Sequence, residues 1–135
     1  MSKTVLVVDD SFMMRTLVKD IVSSDPDLKV VGDAENGKIA LDKVKELKPD
    51  VVLLDIEMPE MDGLEALKRM SLISKAKVII LSSVAQVGSP QAMEARKLGA
   101  FAVIPKPSGS MSLDIAQKKG SEIVQTLRKA VGLSA

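Results

Sequence analysis

The sequence contains no cysteine and no histidine. Without cysteine, the chain can form neither a disulfide framework nor a thiolate metal site. Without histidine, it lacks the commonest general base, the usual ligand of transition metals and any phosphohistidine chemistry of its own. The side chains that remain for chemistry are carboxylates, hydroxyls and lysines.

Long apolar runs and a strong net charge are also missing. The amino-terminal stretch MSKTVLVVDD has only four apolar residues between one lysine and two acids, which is too short for the core of a signal peptide. No later run approaches membrane-spanning length, so the cytoplasm is the expected location. A formal charge of +1, from 19 basic and 18 acidic residues, gives no field that would attract nucleic acid or a membrane surface. We expect neither as a partner.

The apolar residues that are present predict a parallel sheet in one domain spanning residues 1–135. At this length, with 46% hydrophobic residues, the chain can bury one core. Four β-branched-rich runs lack polar alternation, which is typical of strands covered on both faces. They are VLVV at 5–8, VVLL at 51–54, VIIL at 78–81 and FAVI at 101–104. A fifth run, LKVVG at 28–32, contains a lysine, as an edge strand allows.

Stripes of apolar residues with helical spacing separate these runs and follow the last one. Five successive strand–helix units predict an α/β doubly wound sheet with right-handed crossovers. Ser11 lies where the cap of the first helix belongs, and Gly99 follows the fourth helix. Residues 106–120 form a linker-like segment leading into the last helix. The pattern leaves open whether that helix begins near Leu113 or only after Gly120.

Polar groups follow each of the four buried runs at once or within two residues. Asp9 and Asp10 follow the first run, Asp55 the second, Ser82 the third and Lys106 the fourth. In doubly wound sheets, ligands bind outside the carboxyl ends of the strands. Each motif alone is compatible with a helix cap or a polar turn. Their coincidence at one edge of the sheet favours a functional site.

The chemistry of this predicted site indicates phosphoryl transfer. Carboxylates about 4 Å apart repel by roughly 4 kcal/mol per pair at an effective dielectric near 20, so the cluster needs raised pKa values or a cation. A small set of oxygen ligands suits Mg²⁺ better than Ca²⁺. A divalent ion beside a carboxylate, a hydroxyl and a lysine matches the charge of a transferring phosphoryl group. With no other nucleophile available, an aspartate would take that group as an acyl phosphate.

Four motifs in this order, VLVVDDS, VVLLDIEMPEMDG, ILSS and IPKP, resemble the response-regulator receiver family over nearly the whole chain. The resemblance implies a flavodoxin-like fold with strand order 2-1-3-4-5. It implies that Asp55 is the phosphoacceptor and that a histidine kinase is the phosphodonor. Phosphorylation would then switch the binding of a downstream partner.

The same resemblance implies roles for the other site residues. Mg²⁺ would be held by Asp10, Asp55 and the backbone carbonyl of Glu57, with Asp9 contributing charge and ordering a metal-bound water. Ser82 would bond a phosphoryl oxygen, and Lys106 would pair with the phosphoryl group. A cis peptide is expected at Lys106–Pro107.

Further stretches, DIEMPEMDG, SSVAQVGSPQAMEARKLGA and KPSGSMSLD, resemble the receiver of the chemotaxis methylesterase. That esterase uses a serine, a histidine and an aspartate on a second domain, and this chain has no histidine. The chain therefore cannot be that enzyme by itself. We expect a stand-alone chemotaxis-type regulator that is not an enzyme beyond its own phosphorylation and slow dephosphorylation. The alternative is a receiver excised from a methylesterase.

Two alternatives come from other classes. An aspartate-based, Mg²⁺-dependent phosphatase would need an acid two residues after its nucleophile, which Glu57 offers, but its nucleophile normally ends the first strand. A flavodoxin-like electron carrier would need a phosphate-binding first loop and aromatic rings. This chain has acids in that loop and an aromatic content of 1%.

The output surface is expected on the fourth helix, fifth strand and fifth helix. Many receivers carry an aromatic residue three positions before the lysine, where this chain has Val103. Because valine has one stiff torsion and no ring, the aromatic part of the switch is absent or altered. Phe101, on the same face of the strand by alternation, is the candidate substitute. Candidate partner contacts are Val84, Val87, Met93, Arg96 and Val103.

Overall fold

The computed structural model describes residues 2–56, 63–82, 88–105 and 113–133, except for the side chains of residues 63 and 113–121. These residues form five strands and five helices in strict alternation. In chain order they are β1 (Lys3–Val8), α1 (Phe12–Ser23), β2 (Leu28–Ala34), α2 (Gly37–Leu47), β3 (Val51–Asp55), α3 (Gly63–Ile73), β4 (Lys77–Ser82), α4 (Pro90–Lys97), β5 (Ala102–Pro105) and α5 (Leu113–Ala130).

All paired strands are parallel, and their order is β2-β1-β3-β4-β5. This confirms the predicted topology, including the edge position of β2. One irregularity interrupts the pairing of β1 with β2, because Val5 pairs with Val30 and Leu6 with Gly32. The extra residue, Val31, is a local bulge that carries the pairing on to Val8 and Ala34. The edge strand is therefore longer than its apolar run predicted.

Side-chain alternation divides the core into two layers, one on each face of the sheet. On one face, Val5 and Val7 of β1 pack with buried residues of α1 and α5 such as Val18 and Leu127. On the other face, Leu6 and Val8 join a cluster formed with α2, α3 and α4. Strands covered on both faces explain why the runs in the sequence lack polar alternation. The doubly wound architecture is confirmed.

Local signals define the helix ends. The Ser11 side chain caps α1 by accepting a hydrogen bond from the Met14 N–H at 3.2 Å. Beyond α4, Gly99 adopts a φ of 107°, in the region that favours glycine. The last helix begins at Leu113, so residues 113–120 of the linker-like segment are helical. None of the helices in the described ranges has the length and hydrophobicity needed to cross a bilayer.

Candidate functional site

Two acids follow β1 directly, and the first of them is buried. Asp9 is 2% exposed, whereas Asp10 is exposed at the edge of the sheet. The Asp9 N–H donates to the Ala34 carbonyl at 3.1 Å, which ties the acid to the end of β2. The Asp9 carboxylate in turn accepts from the Ser11 N–H at 2.8 Å. The start of α1 therefore fixes the orientation of the buried acid.

Asp55 and Ser82 are the last residues of β3 and β4, and both are fully buried. The two strands stay paired to their ends, where Asp55 lies opposite Leu81 and the Ile56 N–H donates to the Leu81 carbonyl at 3.1 Å. Ser82 lies opposite Pro105, the last residue of β5. A carboxylate and a hydroxyl thus lie at the ends of two adjacent strands, at the same edge of the sheet.

Three of the predicted features lie outside the described residues. These are Glu57, Lys106 and the Lys106–Pro107 peptide bond, so their predicted roles remain predictions. Lys106 directly follows Pro105 in the sequence, and Pro105 pairs with Ser82.

The structure brings together the three acids that the sequence predicted. One carboxylate oxygen from each of Asp9, Asp10 and Asp55 lies within 4.8 Å of the others. Charges at that separation repel by roughly 3.5 kcal/mol per pair at an effective dielectric of 20. The donors are all carboxylate oxygens, the type that Mg²⁺ prefers, and two of the three residues are buried. The cluster therefore fits a hard divalent cation by its donor chemistry.

Sequence reasoning missed Arg15, the residue that supports this cluster from α1. Its Nη1 donates to the Asp9 carbonyl at 2.8 Å, and its Nε donates to Asp33 of β2 at 3.0 Å. Helical spacing was the available signal, because residue 15 lies one turn after the Ser11 cap and so faces the loop before the helix. The pairing with Asp33 needs the β2–β1 adjacency and could not be read from α1 alone.

Phe12 and Met13 form an exposed apolar pair at the start of α1. Their side chains are 71% and 81% exposed, the largest apolar exposures near the acid cluster among the described residues. Both follow the Ser11 cap directly, so they flank the loop that carries Asp9 and Asp10. The two side chains are adjacent in sequence and offer apolar surface beside the charged loop.

A separate ion-pair cluster lies at the amino-terminal end of β2, away from the acids Asp9, Asp10 and Asp55. Arg128 of α5 donates to Asp25 and Asp27, each at 2.9 Å, in the connection before β2. A hydrogen bond from the Asp27 N–H and the contacts with Arg128 hold the pKa of Asp25 below its ordinary value, against the opposing effect of burial. Asp27 and Asp25 together raise the pKa of Arg128. This cluster ties α5 to the amino-terminal end of β2.

The structure shows how exposed three of the five candidate partner contacts are, and partner binding at this surface stays a prediction. Met93 on α4 is 59% exposed and Arg96 is exposed, as partner contacts require. Val103 is 6% exposed, so the structure contradicts its prediction as a contact; its side chain packs in the core beneath α4. Phe101, directly before β5, is 44% exposed. Val84 and Val87 lie outside the described residues.

Comparison with known proteins gives consistent matches across the chain. A family model described as "Response regulator receiver domain" matches residues 5–118. A protein-glutamate methylesterase/protein-glutamine glutaminase of Syntrophomonas wolfei is 48% identical over 132 residues, which is 98% of this chain and 37% of that protein. The corresponding protein of Thermotoga maritima is 46% identical and is likewise matched over 37% of its length. The chain thus spans little more than a third of the curated relatives it matches.

Two solved structures are similar over all or nearly all of their length. The response regulator domain of Thermotoga maritima CheB has a TM-score of 0.88 and 43% identity, with 100% of both chains covered. A chain in the structure of the P1 domain of CheA3 in complex with CheY6 from R. sphaeroides has a TM-score of 0.81 and 45% identity, covering 98% of this chain and 99% of that one.

Proposed function

The chain belongs to the response regulator receiver family, and we propose from this premise that it accepts a phosphoryl group from a histidine kinase on Asp55 in a Mg²⁺-dependent reaction. The observation that carries the proposal is the convergence of Asp9, Asp10 and Asp55 at one edge of the sheet, with their carboxylate oxygens within 4.8 Å. The phosphorylated chain would then bind a downstream protein partner with altered affinity.

Asp55 is the acid best placed to act as the nucleophile. It is fully buried at the end of the central strand β3, and the fully buried Ser82 ends the adjacent strand β4. An Asp55 carboxylate oxygen attacks phosphorus, the bond from phosphorus to the donor imidazole nitrogen breaks, and that nitrogen keeps the bonding pair. The product is an acyl phosphate on Asp55. Ser82 would donate its hydroxyl to one phosphoryl oxygen, and Lys106 would pair with the group.

The remaining acids would hold the metal. Asp10 and Asp55 would bind Mg²⁺ directly with the Glu57 carbonyl, and Asp9 would contribute charge. When bound, Mg²⁺ supplies the positive charge that a transferring phosphoryl group needs. The three carboxylates would otherwise repel one another, so a bound cation would stabilise the cluster.

The phosphodonor protein would dock on the first turn of α1. Phe12 and Met13 offer exposed apolar side chains directly beside the acid loop. Docking there would bring a donor histidine to Asp55 while covering apolar surface, which contributes about 25 cal/mol per Å² buried. The similar chain solved in complex with the P1 domain of CheA3 supports a protein partner for this kind of receiver.

The downstream partner would bind the surface of α4, β5 and α5. Met93 and Phe101 are the large apolar side chains exposed on the described part of this surface, and Arg96 adds a charge. The exposure of Phe101 leaves it able to change position on activation, which keeps it as the candidate substitute for the aromatic switch. Phe101→Ala should reduce the difference in partner affinity between the phosphorylated and unphosphorylated protein.

Two settings of this receiver fit the observations equally well. It can act as a stand-alone chemotaxis-type regulator without enzyme activity of its own, or as the receiver part of a longer methylesterase. The 37% coverage of the relatives fits the second setting. An immunoblot of the source cells with an antibody against this chain would distinguish them. A band near 14.4 kDa supports the stand-alone regulator, and a band of more than twice that mass supports the longer methylesterase.

Intact mass after incubation with Mg²⁺ and acetyl phosphate tests the proposed chemistry. The wild-type chain should gain one phosphoryl group, and the gain should disappear in Asp55→Asn and after chelation of the metal. Asp50→Asn is the matched control, because Asp50 directly precedes β3 and bonds Thr4 at the other end of the strand. A phosphoryl gain that persists in Asp55→Asn would contradict the proposal. Sustained turnover of a phosphate monoester would instead favour the aspartate-based phosphatase.

A further inference from the structure

Arg15 connects three parts of the site through one half-buried side chain. Its guanidinium donates to the Asp9 carbonyl at 2.8 Å and to the Asp33 carboxylate at 3.0 Å. The same group lies 5.8 Å from the centroid of the Phe12 ring. The side chain is 13% exposed, so it extends along the protein and not into solvent. It therefore joins the acid loop, the end of β2 and the exposed start of α1.

The hydrogen bond to Asp9 matters because of the peptide group it fixes. The Asp9 carbonyl belongs to the peptide unit that joins Asp9 to Asp10. The Asp9 N–H is already tied to Ala34 of β2 at 3.1 Å. With Arg15 on the carbonyl, Asp9 is held on both sides of its backbone. The position of the exposed Asp10 is then set by a peptide plane that cannot rotate freely.

An arginine is better suited to this role than a lysine. A planar guanidinium presents several N–H donors in a fixed fork, so it can reach the carbonyl and the carboxylate together. Lys19, one turn further along α1, places its ammonium against Asp33 at 3.4 Å and has no second bond among the described residues. Both cations lie against the single Asp33 carboxylate, and Asp33 in turn holds the Arg15 fork toward Asp9. The arrangement resembles the outer-shell contacts that orient metal ligands in other proteins.

We propose that Arg15 is a positioning residue that orders the Asp9–Asp10 peptide and thereby prepares the acid cluster for a divalent cation. This inference rests on the proposed function for its metal, but its effect on the loop exists in the metal-free protein. Arg15 touches neither phosphoryl group nor metal in this proposal, and it acts through the backbone of the acid loop.

Two measurements on Arg15→Ala test the proposal. Titration calorimetry with Mg²⁺ alone, without phosphodonor, should give a Kd about tenfold higher than wild type, the lower end of the effect of removing an outer-shell partner. Amide hydrogen exchange in the metal-free protein should be faster at Asp10 and Ser11 than in wild type. Arg15→Lys should restore neither measurement fully, because an ammonium lacks the fork. Asp33→Asn should change both in the same direction by less.

Arg128→Ala is the matched control. Arg128 is a similarly buried arginine, 18% exposed, that ties a helix to the other end of β2 through Asp25 and Asp27. The Arg128→Ala substitution should reduce stability in urea without changing the Mg²⁺ Kd or the amide exchange at Asp10. If Arg15→Ala, like Arg128→Ala, changes neither the Mg²⁺ Kd nor the exchange at Asp10, Arg15 is only a structural contact and the proposal is wrong.

Two further outcomes are informative. If Arg15→Ala does not fold, Arg15→Lys and Asp33→Asn carry the same comparison, and unchanged exchange at Asp10 in both contradicts the proposal. If wild-type protein binds no Mg²⁺, the metal site of the proposed function fails. The exchange rates then decide separately whether Arg15 orders the loop.

Discussion

Neutralising one acid of the cluster should stabilise the metal-free protein. In Asp10→Asn, one charge is removed from a group whose carboxylate oxygens lie within 4.8 Å of one another. Each pair repels by roughly 3.5 kcal/mol at a dielectric of 20 and by about 0.9 kcal/mol at that of water. Asp10 is exposed, so the value for water is the better guide. Two pairs then give a stabilisation of about 1–2 kcal/mol.

Adding Mg²⁺ should reverse the order of the two proteins. A ligand that binds only the folded state at 100 times its Kd adds about 2.7 kcal/mol of stability. Wild type should gain this amount, whereas Asp10→Asn has lost a proposed metal ligand and should gain much less. Wild type is therefore the less stable protein without Mg²⁺ and the more stable one with it.

Urea unfolding followed by far-UV circular dichroism measures this reversal, since the chain has no tryptophan or tyrosine to report by fluorescence. The midpoints should differ by about 1 M, given a urea dependence of 1–3 kcal/mol per M. Asp42→Asn, at an exposed acid on α2, is the control and should respond to Mg²⁺ as wild type does. If Asp10→Asn is less stable than wild type without Mg²⁺, or gains as much from the ion, the reasoning is refuted.

Three other substitutions test the fold. Asp25→Asn should lower stability at neutral pH, because an acid whose pKa is lowered in the folded protein stabilises the fold above its ordinary pKa of 3.8. The difference in stability from wild type should shrink as the pH falls below that value. A difference that stays constant with pH would contradict the ion pair. Leu53→Ala removes a fully buried side chain from the central strand and should lower the free energy of unfolding by about 2–5 kcal/mol in urea. Gly99→Ala should lower it by about 1–3 kcal/mol. Because a Cβ at Gly99 meets no atom within 4 Å, a loss of stability would come from the backbone conformation and not from a clash. An unchanged urea midpoint would show that the φ of 107° imposes no strain on alanine.

The apolar runs predicted the strands because a parallel strand that is buried on both faces is apolar along its whole length. This pattern can be recognised in each strand without knowing which strands pair with it. The ends were less certain. Asp55 and Ser82 proved to be the last residues of β3 and β4 and not the first residues of the loops, since pairing continues through both. β5 starts at Ala102, one residue later than its apolar run, which leaves Phe101 partly exposed.

The acid cluster was predictable because each acid follows an apolar run at once or within two residues, and parallel strands end at one edge of the sheet. The side chains that support the cluster could not be predicted in the same way. Arg15 and Asp33 are 18 residues apart and meet only because β2 lies beside β1. Val103 was predicted as a partner contact from its place in β5, yet packing beneath α4 buries it. Contacts between distant segments decide both cases, and no local pattern reports them.

The position of the phosphoryl group shows directly whether Asp55 is the phosphoacceptor. The protein is incubated with acetyl phosphate and Mg²⁺, treated with sodium borohydride and digested, because reduction converts an aspartyl phosphate to homoserine at the modified position. If Asp55 is the phosphoacceptor, homoserine should appear at Asp55, and Asp9 and Asp10 should remain aspartate. Homoserine at either of those two acids, or at none of the three in protein that has gained the phosphoryl mass, would contradict this assignment.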